Sequence, residues 1–164
     1  MQSVTNNLPI SAMNNNTLAI FPASGGIGGS TYRHLLRLID PKNVILVART
    51  PSSIPSSYKD AGVVTRYGDY DKLETLDNAF EGAQCLNLIS YASIEHERCF
   101  QVQKYAIDVA VKCGDTHVFY SSLGFAGTGT TTDSLAFLMQ AHLDTERYPA
   151  KIAAEIPSFS YTIV

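Results

Sequence analysis

Short apolar runs alternate with stretches of helical spacing along this chain, and that alternation constrains the fold more than any other feature. The runs cover residues 17–21 (TLAIF), 44–48 (VILVA), 63–67 (VVTRY), 83–89, 117–121 (HVFYS) and 161–164. Between the first two, Tyr32, Leu35, Leu36 and Ile39 recur at helical spacing until Asp40 and Pro41 end the pattern. A Pro/Ser-rich piece over residues 51–57 leaves room for a short helix at most before Gly62. Asp71 and Glu74 have capping-box spacing, which predicts a short helix ending near Phe80, with Gly82 as its stop. Cys99, Val102, Ala106, Val109, Ala110 and Cys113 mark one face of a long helix closed by Gly114. After a small polar loop over residues 124–132, a last helix is expected to open near Asp133, its apolar face holding Leu135, Leu138, Met139, His142 and Leu143.

Strands that are continuously apolar are buried on both faces, and strands that alternate with helices form parallel sheets. Right-handed crossovers then predict an α/β doubly wound parallel sheet of about six strands in the order 3-2-1-4-5-6, the Rossmann-type NAD(P)-binding fold. The length of 164 residues suits one such domain, over residues 17–164. Residues 1–16 carry five asparagines and no Lys or Arg, so they read as a disordered tail rather than a secretory or mitochondrial leader, and Met13 is an alternative start.

The net charge of −3 gives no basic face for nucleic acid, and no apolar run reaches the roughly 18–20 residues that span a bilayer. Cys85, Cys99 and Cys113 include no CxxC pair, and the four histidines show no ligand spacing, so no metal site is expected. Three buried thiols suit a reducing, cytoplasmic setting.

The first strand-to-helix junction carries the strongest chemical signal. Ser24, Gly25, Gly26, Ile27 and Gly28 lie between a buried run and a helix, where glycines let the backbone approach a pyrophosphate and free N–H groups favour its charge. The spacing is that of a G-x-x-G-x-x-G turn with Pro22 in the first position, which makes the turn atypical. The second run ends in Val47, Ala48 and Arg49, with no acid to bind a ribose 2′-hydroxyl. Arg49 can pair bidentately with a 2′-phosphate, so NADP (NADPH) is expected rather than NAD. Asp69 follows the third run, where a group near the adenine is expected. Ser90, Tyr91, Ser121 and Ser122 follow the fourth and fifth, on the edge where such sheets bind ligands.

Together FPASGGIGGS, VARTP, GDYD, LISYAS, FYSSLGFAG and HLDTERY resemble the NmrA-like branch of the short-chain dehydrogenase/reductases, closest to its fungal members. The resemblance implies that residues 24–28, Arg49 and Asp69 hold NADP(H). It also implies a substrate-covering region beyond the sixth strand, which this chain does not include. No tyrosine has Lys four residues on; Tyr148 and Lys151 are three apart across Pro149. In some quinone-reductase-like members a histidine takes the place of the catalytic lysine, and His142 matches it. His142 is therefore either a catalytic group near the nicotinamide or a packed core histidine. Two functions stay open: an NADP-dependent oxidoreductase acting on a small carbonyl, quinone or enone, or a non-catalytic NADP(H)-sensing module with a regulatory protein partner. A shortened, inactive homologue is the remaining alternative.

Overall fold

In the computed structural model, which describes residues 17–124 and 137–164, six parallel strands form one sheet. They are β1 (Leu18–Phe21), β2 (Val44–Ala48), β3 (Val64–Tyr67), β4 (Cys85–Ile89), β5 (His117–Ser121) and β6 (Ser160–Ile163), in the order β3-β2-β1-β4-β5-β6. This is the expected doubly wound order. β1 sits between β2 and β4, with Ala19 opposite Ile45 on one side and Leu86 on the other. The expected tail over residues 1–16, most of the polar loop and the opening of the last helix lie outside the described residues.

Successive side chains of the central strands enter opposite cores, as the pleat requires. Ala19, Phe21, Val47, Leu86, Leu88, Val118 and Tyr120 enter one core. Leu18, Ile20, Leu46, Ala48, Cys85 and Ile89 enter the other. The first core lies under α3 (His96–Cys113) and α4 (Phe137–Glu155), the second under α1 (Gly25–Leu35) and α2 (Ser56–Asp60). Burying each large aliphatic side chain contributes about 1.5–3 kcal/mol, so two-sided burial gives the central strands most of their stability. The stripe read from Cys99 to Cys113 is the face α3 packs: Cys99, Ala106 and Ala110 are fully buried. Gly114 closes that helix in the left-handed conformation at φ 96°.

One element departs from expectation. Asp71 does not cap a helix that runs to Phe80; the chain makes a 3-10 turn over Leu73–Leu76 with Lys72 before it and no side-chain cap. Asp69 Oδ1 accepts the Asp71 N–H at 3.0 Å and so closes a local turn first. The Asp71 carboxylate is left to bond across the fold, as described below.

Two tight spots set the local geometry. A Cβ on Gly28 would lie 2.2 Å from the Pro22 carbonyl oxygen, so only glycine lets α1 approach the end of β1 this closely. At the opposite edge of the sheet Asp115 is 4% exposed, and neither carboxyl oxygen has a hydrogen-bond partner among the described residues. Burial pushes its carboxyl up to about 7.

Gly28→Ala is expected to lower folding stability by about 1–3 kcal/mol, because the methyl meets backbone. Gly26→Ala, whose methyl would meet nothing within 4 Å, should change stability by less than about 1 kcal/mol. Urea titrations of both variants check this pair. For Asp115 the folded state binds a proton more tightly than the unfolded chain, so its contribution is present at low pH and lost as pH rises toward 7. Relative to Asp115→Asn, the wild-type chain should lose up to about 1.4 kcal/mol per pH unit between pH about 4 and 7. Parallel denaturation curves across that range measure the slope.

Candidate functional site

All the strands run the same way, so the loops that leave β1 to β5 gather at their carboxyl edge. β1 delivers the chain through a cis Phe21–Pro22 peptide, and the Ala23 N–H extends the ladder by donating to the Val47 carbonyl at 2.7 Å. Ser24 then precedes α1 in an extended conformation and makes no side-chain cap. Gly25 opens the helix at φ 86°, and added Cβ atoms on Gly25 and Gly26 would meet nothing. The first turn carries no acidic residue. The first helical N–H groups thus have neither a side-chain cap from Ser24 nor an acidic residue in their own turn, an arrangement suited to an anion. The Pro22 carbonyl is the surface on which Gly28 packs.

Arg49 follows β2 directly, is exposed, and makes no hydrogen bond or ion pair among the described residues. Beyond β3, Asp69 is 9% exposed, with Oδ1 committed to the Asp71 N–H and its own N–H donated to Thr75 Oγ1 at 2.9 Å. Next to it Tyr70 stands 4.4 Å from the Phe21 ring, and its hydroxyl donates to the Ile89 carbonyl at 2.8 Å. That bond ties the β3 exit to the end of β4. Burial raises the Tyr70 phenol well above its ordinary range, so it stays a donor.

Past β4, Ser90 is half-buried and the Tyr91 N–H donates to Gln103 Oε1 at 2.9 Å. The Tyr91 ring is 5.2 Å from that of Tyr70. Ser121 closes β5 and, with Ile27, Thr31, Asn87, Ile89 and Phe119, lines a groove of about 400 Å³ between α1 and the sheet. Ser122 Oγ donates to Glu146 Oε1 at 2.5 Å. The edge therefore brings together the glycine turn, Arg49, Asp69, Ser90, Tyr91, Ser121 and Ser122.

His142 is not on that surface. It is 4% exposed, and its Nδ1 lies 2.8 Å from the Tyr120 hydroxyl, which lies 3.2 Å from Gln103 Oε1. Gln103 Nε2 donates to Thr145 Oγ1 at 2.8 Å, and Thr145 donates to the Ala141 carbonyl. Burial holds the imidazole below its ordinary pKa, opposed by the nearby Glu146, and its Nδ1 joins a buried polar network. The Tyr148 and Lys151 pair is also directed elsewhere: the Tyr148 hydroxyl donates to Asp108 on α3, and Lys104 Nζ sits 4.6 Å over its ring.

Sequence reasoning missed the Gln103–Tyr120–His142–Thr145 network and a cluster of Asp71, Tyr91 and Arg98. The first left a signal, because Gln103 falls among the apolar positions of α3 yet is fully buried. The second left none. Among the described residues no helix is long and apolar enough to cross a membrane.

Comparison with known proteins agrees with this layout. The model of the NmrA-like family matches residues 14–162. An NmrA-like family domain-containing oxidoreductase from Aspergillus flavus, flvB, is 30% identical over 127 residues, covering 76% of this chain and 40% of that protein. The triphenylmethane reductase of Citrobacter sp., solved with NADP(H), superposes with a TM-score of 0.75 at 26% identity, over 90% of this chain and 48% of the other. The Escherichia coli NADPH-dependent quinone oxidoreductase shares the fold with a TM-score of 0.69 at 24% identity, over 90% of this chain and 47% of the other. The chain spans about half the length of these proteins, or less.

Tyr120→Phe removes the hydroxyl at the centre of the buried network and leaves His142 Nδ1 without its partner. The expected cost is about 1–3 kcal/mol, read as a lower urea midpoint at unchanged slope.

Proposed function

The chain belongs to the NmrA-like family, and we propose that it is the nucleotide-binding domain of an NADP(H)-dependent oxidoreductase acting on a small carbonyl, quinone or enone. The observation that carries this reading is the uncapped, acid-free start of α1 at Gly25, on the same sheet edge as an exposed Arg49 that makes no hydrogen bond or ion pair among the described residues. The Citrobacter reductase, crystallised with NADP(H), supports the same cofactor for this chain.

In this reading the N–H groups of residues 24–28 bind the pyrophosphate, and Arg49 binds the 2′-phosphate through its planar fork. Gly25 and Gly26 leave the room a phosphate needs, so the residues present fit the group. Asp69 shapes the turn on the adenine side, and Ser90 and Tyr91 line the middle of the edge. Ser121 ends β5 and Ser122 follows it, toward the nicotinamide end of the cofactor; the Ser122 hydroxyl proton is held by Glu146, so its oxygen is left to accept. The bound nicotinamide supplies hydride transfer. The setting is cytoplasmic.

One observation favours a second reading. His142 is buried in the core, and no Tyr-x-x-x-Lys pair is present to supply a proton. The domain can thus serve as an NADP(H) sensor whose contacts with a regulatory protein change with the nucleotide. Its burial supports the packed-histidine alternative, and turnover of a small acceptor would separate enzyme from sensor.

Calorimetric titration with NADPH and NADH tests the proposal. Wild-type protein should prefer NADPH, and Arg49→Ala should weaken NADPH about 10- to 100-fold, the loss of one charged, bidentate contact, while leaving NADH nearly unchanged. Equal weakening of both would refute the assignment of Arg49, and no binding of NADPH would refute the function.

A further inference from the structure

The segments that leave β3 and β4 and the first turn of α3 meet at one carboxylate on the sheet edge. Asp71, beyond β3, accepts on the same Oδ1 the Tyr91 hydroxyl at 2.7 Å and Arg98 Nη2 at 2.5 Å. Tyr91 comes from the exit of β4 and Arg98 from the first turn of α3. Arg49 directly follows Ala48, which pairs with Tyr67 and accepts the Gly68 N–H at 3.2 Å, so it leaves the sheet beside the segment that carries Asp71, and its charge acts on this carboxyl. The bonds from Tyr91 and Arg98, and then the charge of Arg49, hold Asp71 below the usual carboxylate range.

The partition of the two arginines carries the inference. Asp71 is paired by Arg98, whereas Arg49 makes no hydrogen bond or ion pair among the described residues. The pair is roughly half exposed, with side chains 49% and 42% accessible, and an ion pair of this kind contributes little to folding. Its effect is on local charge. An unneutralised carboxylate beside Arg49 would draw that guanidinium toward itself and repel a phosphate dianion approaching it. Arg98 weakens both effects by pairing with the carboxylate, and the Tyr91 hydroxyl bonds to the same oxygen.

We propose that Arg98 is a specificity-determining residue for 2′-phosphorylated nucleotides, because it occupies Asp71 and so leaves Arg49 free for the phosphate. The inference rests on the NADP(H) reading above and deepens it. Arg98 acts through Asp71 and needs no contact of its own with the nucleotide.

The test uses the full chain, with 2′,5′-ADP, NADPH and NADH as titrants in low salt. Arg98→Gln is expected to weaken 2′,5′-ADP and NADPH about tenfold and NADH less than twofold, with the thermal midpoint nearly unchanged. Adding Asp71→Asn to Arg98→Gln removes the acid that competes for Arg49, and should restore 2′,5′-ADP affinity to within about twofold of wild type. A merely structural cluster predicts the reverse, since the second substitution would deepen the loss. Equal weakening of NADPH and NADH by Arg98→Gln, or no rescue in the double variant, overturns the inference while the cofactor assignment stands. Failure of the wild-type chain to bind 2′,5′-ADP overturns both.

Discussion

β1 pairs with β2 on one side and β4 on the other, and its side chains are buried alternately in two cores. Every later feature is placed by that arrangement. A strand buried on both faces cannot slip its register without moving a whole set of apolar side chains to the wrong core. Its end is therefore a fixed point, and Gly28 holds α1 against that point by closing on the Pro22 carbonyl. The open N-terminus of α1 is thus presented at the sheet edge by the same packing that stabilises the sheet. The placement of this helix start and the stability of the sheet share one cause.

Polar groups divide into two kinds. Within the core under α3 and α4, Gln103, Tyr120, His142 and Thr145 satisfy one another, and the network links α3, β5 and α4. Buried groups of this sort cost little when fully paired and much when a member is lost. On the edge, Asp71, Tyr91 and Arg98 are accessible and contribute mainly through charge and direction. Asp115 belongs to neither kind, being buried and unpartnered among the described residues, and its raised carboxyl pKa follows from that.

The residues that could be read in the sequence share a property: their surroundings come from near neighbours in the chain. The glycine turn follows a strand run and opens a helix within a dozen residues, and Arg49 directly ends a run. The capping box at Asp71 and Glu74 failed for the opposite reason. Local spacing was satisfied, but Asp69 captured the Asp71 N–H, and Tyr91 beyond β4 and Arg98 on α3 captured its side chain. His142 sat on an apolar face in either of its readings, and its burial and the Tyr120 hydroxyl from β5 favour the packed one.

By itself, the sequence determined the alternation of strands and helices, the parallel order, and a phosphate-type turn followed by an arginine instead of an acid. These follow from hydrophobic period and from residue type at a junction, which are properties of short windows. Only the tertiary structure decided that His142 is buried in the core, that Asp115 is buried with no hydrogen-bond partner among the described residues, and that Asp71 is held by Tyr91 and Arg98 while Arg49 makes no hydrogen bond or ion pair among the described residues. Each of these depends on which side chains from distant parts of the chain arrive at the same place, and a short window contains no record of that.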